Sequence, residues 1–422
     1  MKKHIVIIGG GFAGINLANS LANNKNFTIT LVDKNNYHFF PPLIYQVATG
    51  FLEPSSISYP FRKLLKENKN IRFWLGEFSE VLPSENKIKL SNGELTYDYL
   101  VFATGTESNY FGMENVKKNA IPMKTLDDAL NMRNILLQRI EKATVTKNKA
   151  EKKRLLTMVV AGGGPTGVEV SGMFAEMSKT IIRKEYPELS HIRKTEIYLV
   201  DGGDRLLAPM SEKSQKYTLE SLKQLGVEVK LNMHVVDYDG NVVTFKDGTY
   251  IKTKNLIWAA GVTAMIFEGI PKECYGRAKR LIVDEFNKIK GTDNIYAIGD
   301  TCIMENTDVK FPHGHPQVAQ VAIQQGKNLA QNLNNLQLNK MLQTFRYKDK
   351  GSMAIIGRAK AVADIPINTH FNGFFAWMMW LFVHIMSLVN YRNRLKTLYN
   401  WAIAYFTKDQ SLRIIVRPKD TV

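Results

Sequence analysis

Cysteine is almost missing: Cys274 and Cys302 are the only two in 422 residues. They are too few and too widely spaced for a Cys-x-x-Cys dithiol, a zinc site or a disulfide framework. A thiol–disulfide relay is therefore excluded, and a reducing cytosolic setting fits. Long apolar runs are also missing. The longest, from Phe374, stops at His384, short of the ~20 residues a membrane-crossing helix needs. At the start, Ile5–Ile8 is an apolar run that ends at Gly9, whereas a secretory core needs about 7–15 residues. A buried strand with no exported pre-sequence is the expectation. Negative charge is in deficit, with 56 Lys+Arg against 39 Asp+Glu and a net charge of +17. That balance favours an anionic partner, nucleic acid or an acidic lipid surface. Hydrophobic residues at 45% and charged residues at 23% exclude a disordered, collagen-like or multi-span membrane chain. The length predicts two or three domains at roughly 150 residues each.

Glycine is placed where chemistry needs it. Ile5–Ile8 is followed by Gly9-Gly10-Gly11-Phe12-Ala13-Gly14 and a helical stretch, Ile15–Ala22. Gly9, Gly11 and Gly14 fit G-x-G-x-x-G in a strand–turn–helix context. The first glycine allows the tight turn, the second lets the backbone approach a pyrophosphate, and the third permits close helix–strand packing. A second strand, Thr28–Val32, ends at Asp33, placed to accept hydrogen bonds from a ribose hydroxyl pair. The alternative, a plain structural turn, does not account for strand, helix and acid together.

The same device recurs. Leu155–Ala161 leads into Gly162-Gly163-Gly164-Pro165-Thr166-Gly167, a helix start at Val168 and a strand, Glu196–Val200, that ends at Asp201. Gly162, Gly164 and Gly167 repeat the fingerprint, and Asp201 favours NAD over NADP because a carboxylate repels a 2′-phosphate. Arg205 nearby weakens that preference. Ile181–Lys194 reads as a basic, polar surface insertion, and Lys142–Lys153 as a solvated linker. One fingerprint binds one dinucleotide, so two indicate two nucleotide domains and hydride chemistry between their ligands. Hydride transfer needs the reacting atoms about 3–3.5 Å apart. Thr96–Gly105, with Thr104 and Gly105 at its turn, and Asn294–Asp300 are strands that end in ligand-facing turns. Leu256–Gly261 is their counterpart in the second domain. These segments resemble the secondary motifs of two-dinucleotide flavoproteins of the glutathione-reductase type. That resemblance implies FAD on the first fingerprint, with Asp300 at its ribityl and phosphate region, and NADH on the second.

Further stretches narrow the family. Leu31–His38 leads into Pro42–Ala48; Ala319–Gly326, Gly351–Arg358 and Tyr391–Arg394 follow along the chain. On these residues the whole chain resembles the type II NADH:quinone oxidoreductases, single-subunit and non-pumping. The resemblance implies Gln320, and more weakly Gln324, beside the quinone, and Glu169 near the nicotinamide and flavin. The bland readings are an exposed i, i+4 polar pair and a carboxylate favoured by a helix dipole. Pro41 stands where many relatives have a polar residue. Ile323 stands where some eukaryotic members have histidine, so direct proton delivery from that position is not expected. No metal site is read.

Phe371–Val389 is apolar nearly all round, as expected of a helix in lipid or deep in protein. Arg392, Arg394 and Lys396 follow, and then Leu395, Leu398, Tyr399, Ala402, Ile403 and Phe406 recur at helical spacing. The pair reads as a monotopic anchor on anionic lipid through residues 371–406, with Trp377, Trp380 and Trp401 at interface depth. A buried core helix or a homodimer interface is the other reading. The scattered lysines carry no nucleic-acid motif.

The expected fold is α/β: two Rossmann-like, glutathione-reductase-like dinucleotide domains plus a C-terminal helical membrane-binding module. Its expected limits are 1–118 and 290–345 for FAD, 119–289 for NADH and 346–422 for the anchor. The expected activity is NADH oxidation by quinone through FAD, without pumping, at the cytoplasmic face of an inner membrane. The alternatives are an NAD(P)H-dependent flavin reductase with another acceptor, and a non-enzymatic NADH-sensing flavoprotein.

Overall fold

The computed structural model describes residues 2–189, 195–305, 308–366, 369–407 and 413–416, without the side chains of 181–183, 406 and 407. The chain opens with β1 (Lys3–Ile8), α1 (Phe12–Ser20), β2 (Phe27–Asp33), α2 (Ile44–Ala48), β3 (Ile71–Leu75) and β4 (Tyr99–Phe102). It continues through β5 (Ile121–Pro122), α3 (Leu126–Val145), β6 (Met158–Ala161), α4 (Pro165–Met177), β7 (Ile197–Val200), α5 (Glu212–Leu225), β8 (Glu228–Lys230) and β9 (Asn255–Trp258). After β10 (Ile295–Ala297) and α6 (Ala319–Gln337) it closes with β11 (Ser352–Gly357), β12 (Lys360–Ile365), β13 (Thr369–Asn372), α7 (Gly373–Ser387) and α8 (Tyr391–Thr407).

Two compact units result. The first holds Met1–Phe39, Tyr59–Glu107 and Val262–Asp349. Its parallel sheet runs β10-β4-β1-β2-β3, with Ile5 opposite Ile29 and Ile7 opposite Leu31. Successive β1 residues serve opposite cores. Ile5 and Ile7 pack with α1 and α6 through Leu17, Leu329 and Leu333, while Val6 and Ile8 pack with Val81, Ile88 and Phe267. That two-sided burial is why the strand reads as an unbroken apolar run.

The second unit holds Phe40–Ser58, Ser108–Gly261 and Lys350–Val422. Its parallel sheet runs β5-β9-β6-β7-β8. The expected limits group 108–118 with the first nucleotide domain and 262–289 with the second. In the structure Val116 joins the second unit's core, and Phe267, Leu281, Val283 and Ile289 join the first. The polar stretch around 142–153 is largely helical, because α3 runs to Val145 and a further helix covers Lys149–Leu156. A capping box starts α3, Thr125 Oγ1 accepting from the Asp128 amide and Asp128 returning the bond. Leu155 and Leu156 end the later helix, so the strand begins at Met158. Both fingerprint helices start earlier than expected, at Phe12 and Pro165. The insertion after α4 continues through a π-turn over Ser178–Ile182, and residues 190–194 of it lie outside the described residues.

The C-terminal segment builds an antiparallel β11–β12–β13 sheet, followed by α7 and α8. Phe371 and Asn372 belong to β13 rather than to the apolar helix. Among the described residues no helix is long and apolar enough to cross a membrane. The two helices are inside out. Phe375 is 75% and Phe382 67% exposed, and Leu395, Leu398, Tyr399 and Ile403 are exposed too. Asn393 and Thr397 face inward instead, donating to the carbonyls of Ser58 and Ser56. The expected interface role fails for Trp380 and Trp401, which are buried. Trp380 stacks on His384 at 3.9 Å, and Trp401 donates to buried Gln46. The Phe406 side chain lies outside the described residues.

In α4, a Cβ on Gly172 would lie 1.7 Å from the Ile356 carbonyl oxygen of β11. Gly172→Ala is expected to cost about 1–3 kcal/mol through overpacking, read as a lower midpoint in thermal unfolding; an unchanged midpoint would show that this contact yields freely.

Candidate functional site

Each fingerprint folds into the same cradle. Gly9 turns the chain at φ +101°, and a Cβ there would lie 2.4 Å from the Ala103 carbonyl oxygen. Gly14 sits so close over the turn that its Cβ would lie 1.9 Å from the Gly9 oxygen. Gly11, the residue before α1, has open space in front of it. The second cradle repeats this arrangement. Gly162 at φ +116° would meet the Ala259 oxygen at 2.4 Å, Gly167 would meet the Gly162 oxygen at 1.8 Å, and Gly164 is open. Neither helix start has a side-chain cap. The first amides of α1 and α4 thus stay available to a phosphate in front of the glycine without a side chain.

The two acids brace these turns. Asp33 accepts from the amides of Gly10 at 2.7 Å and Asn35 at 2.8 Å. Burial raises its pKa, against those two bonds. Asp201 accepts from Gly163 at 2.5 Å and Gly203 at 2.7 Å. Arg205 is engaged by Asp204 through two 2.8 Å bonds. In the first unit His38 Nδ1 donates to the Gly10 carbonyl at 2.9 Å, while its buried Nε2 has no partner. Gly105 (φ +68°) also faces open space, and Thr104 donates to Thr301 at 3.1 Å. The Asp300 carbonyl is held by Gln317. Gly261 (φ +97°) accepts from the Asn109 amide in the second unit. Open glycine starts, an orphaned imidazole nitrogen and paired acids suit two dinucleotides.

Both cysteines are free and buried, and burial pushes the Cys302 thiol up to about 12. Among the described residues no cluster of His, Cys, Asp and Glu could hold a metal.

Glu169 lies on α4, buried to 8% exposure. Burial raises its pKa well above the carboxylate range, opposed only by the Ile355 amide that donates to it. It therefore ties α4 to β11 rather than acting as a solvated carboxylate at a helix start. Beside it, sequence reasoning missed a buried chain of polar groups. Trp401 Nε1 donates to Gln46 Oε1 at 2.7 Å, and Gln46 Nε2 donates to the Tyr45 hydroxyl at 3.0 Å. Burial first, then the charge of Glu169, raises the Tyr45 pKa. Its signal lay in Pro42–Ala48, a stretch that helped to carry the family resemblance. In the first unit Gln320 meets the Tyr347 hydroxyl at 3.4 Å. The Gln324 amide is engaged at both ends by the Lys348 backbone at 2.9 Å. The neighbour Gln325, not singled out from sequence, is buried and holds the Gly299 amide at 2.6 Å.

Two nucleotide cradles of one design define the class. Residues 3–326 match the pyridine nucleotide-disulphide oxidoreductase family, and 350–409 match the NDH2 C-terminal domain. A type II NADH:quinone oxidoreductase of Mycobacterium tuberculosis is 37% identical, covering 96% of this chain and 87% of that protein. One from Haemophilus influenzae is 29% identical, covering 86% and 87%. The fold also matches Plasmodium falciparum NDH2 solved with NADH, at TM-score 0.89 and 24% identity over 99% of this chain and 100% of that one. The chain belongs to the type II NADH:quinone oxidoreductases. It is an NADH dehydrogenase that uses FAD and NADH.

Gly14→Ala is expected to abolish folding and Gly11→Ala to leave it intact while weakening flavin retention at least tenfold, read from circular dichroism and bound-flavin absorbance; equal behaviour of the two would refute the open cradle. The folded state favours protonated Glu169 more than the unfolded chain does. Stability contributed by this group is therefore full below about pH 4.5 and declines as pH rises towards its folded pKa. Glu169→Gln is expected to remove that decline, seen as a flatter thermal midpoint against pH than in the parent.

Proposed function

We propose that the protein passes a hydride from NADH to FAD and two electrons on to a quinone, without pumping protons. The observation that carries this reading is the duplicated cradle, with Gly11 and Gly164 open at two helix starts. FAD belongs at Gly9, Gly11, Gly14 and Asp33, with Thr104, Gly105 and Asp300 completing that side. NADH belongs at Gly162, Gly164, Gly167 and Asp201, with Gly261. When bound, the flavin supplies hydride acceptance and two-electron donation.

The chain's own residues do the rest. The amides at the starts of α1 and α4 hold pyrophosphate oxygens. Asp33 and Asp201 keep lone pairs for ribose hydroxyls after bracing their turns. Glu169, kept neutral by burial, holds a proton at a carboxyl oxygen, which suits it to supply one of the two that quinone reduction consumes. Gln320, steadied by Tyr347, is the quinone neighbour. Gln324 supports that helix through Lys348.

The exposed apolar faces of α7 and α8 support a monotopic seat on a membrane surface, since patches of this kind mark interaction surfaces; we place it at the cytoplasmic face of an inner membrane. Of the basic residues in the first turns of α8, Arg394 donates to the Leu388 and Met386 carbonyls and Lys396 pairs with Glu53. Arg392 is exposed and is the one placed to meet anionic head groups. A second copy of the chain is the other occupant such a face could take.

Anaerobic NADH is expected to bleach the flavin of the purified enzyme, and a short-chain quinone to restore it within the turnover time. Slow, quinone-indifferent reoxidation would favour the sensing alternative. Glu169→Gln is expected to lower turnover at least tenfold with modest flavin loss; a parental rate would remove Glu169 from the reaction. Phe375→Asp with Phe382→Asp is expected to abolish flotation with vesicles; flotation at the parental level would leave a dimer face as the reading.

A further inference from the structure

Tyr45 and Gln46 on α2, Glu169 on α4 and Trp401 on α8 are all buried, and α2 packs against α4. Their hydrogen bonds have a fixed direction. An indole nitrogen donates and cannot accept, so in the 2.7 Å bond from Trp401 Nε1 it is Gln46 Oε1 that accepts. With its oxygen towards the indole, the amide turns its nitrogen towards the Tyr45 hydroxyl, 3.0 Å away. That nitrogen also only donates. The Tyr45 oxygen therefore accepts, and its own hydrogen is left over; among the described residues no acceptor holds it. Beyond burial, the charge that bears most on this hydroxyl is that of Glu169, ahead of Glu176 two turns along the same helix. Glu176 is engaged elsewhere, by the Arg358 amide and by the charges of Arg358, Lys179 and Lys360. The Glu169 carboxyl accepts from the Ile355 amide of β11, and among the described residues no ionised group bears on it. It has lone pairs to spare.

We propose that Trp401 is a positioning residue for Glu169, setting the direction of a chain through Gln46 so that the Tyr45 hydroxyl hydrogen is left for the Glu169 carboxylate. A hydrogen bond given to a carboxylate favours its ionised form. The chain therefore eases the departure of a proton from a carboxyl that burial otherwise keeps neutral. Without the indole the Gln46 amide turns over and presents its oxygen to Tyr45, and the hydroxyl gives its hydrogen to Gln46 instead. The orientation of one amide decides where that hydrogen goes. Trp380 on α7 is the contrast: it too is buried, with its ring 5.6 Å from that of Trp401, yet its Nε1 has no hydrogen-bond partner. The chain serves, and in this rests on, the proton role proposed for Glu169.

The test is an infrared titration of the full-chain holoenzyme without NADH or quinone, following the protonated-carboxyl band that Glu169→Gln removes. Tyr45→Phe deletes the donor, and Trp401→Phe keeps a ring but loses the N–H that orients Gln46. Each is expected to raise the pH at which the band is half lost by about one unit, a tenfold change in the ionisation constant. The sign follows from the missing donor: the ionised form is disfavoured, so the proton leaves at higher pH. Trp380→Phe, which removes a buried indole that donates to nothing, is expected to titrate as the parent does. A parental titration in Tyr45→Phe or in Trp401→Phe overturns the proposal. An equal shift in Trp380→Phe overturns it too, because lost packing would then suffice. Should Trp401→Phe not fold, Tyr45→Phe carries the test, a shift supporting the hydroxyl as donor and a parental titration refuting it. No turnover enters this measurement, so it judges the chain alone, whereas the turnover of Glu169→Gln judges the quinone role.

Discussion

Two carbonyl oxygens stand where a side chain would have to begin. Ala103 O and Ala259 O each lie 2.4 Å from the place a Cβ would occupy on Gly9 and Gly162. That closeness brings a neighbouring strand's exit against the turn, and the turn in turn aims a helix start at open space. Any larger residue would push the strand or the helix away. The open helix start in both units depends on this absence of atoms, which no gain in packing elsewhere could replace.

Around the second cradle the chain buries polarity that a soluble core would ordinarily leave outside. Glu169, Tyr45 and Gln46 are all buried, and the indole of Trp401 joins them from α8. The cost of burying these groups is offset by hydrogen bonds, and for Glu169 by keeping the carboxyl neutral. α8 can supply that indole because its polar and small residues face the protein. The helix that touches the buried chain is therefore also the one that turns leucines, a tyrosine and an isoleucine outward. The buried polar chain and the exposed apolar face thus share one element.

Much was legible without coordinates. The strands before each glycine turn, the acids that end the second strands and the apolar character of 374–383 follow from local pattern. Other features were not. Leu155 and Leu156 look like strand residues because an apolar run carries no period that separates strand from buried helix end. Trp380 and Trp401 look like interface anchors because tryptophan suits both that depth and a core. Gln324 and Gln325 differ by one position on a helix, about 100° of rotation. One ties down the Lys348 backbone and the other holds the Gly299 amide.

The sequence by itself determined the two cradles, because their pattern is written close together along the chain: three glycines at fixed spacing and an acid one strand later. Only the tertiary structure decided which polar groups lost water. Glu169 meets Ile355 across 186 positions, and Gln46 meets Trp401 across 355. Burial is a property of what other segments cover, and no local spacing encodes it.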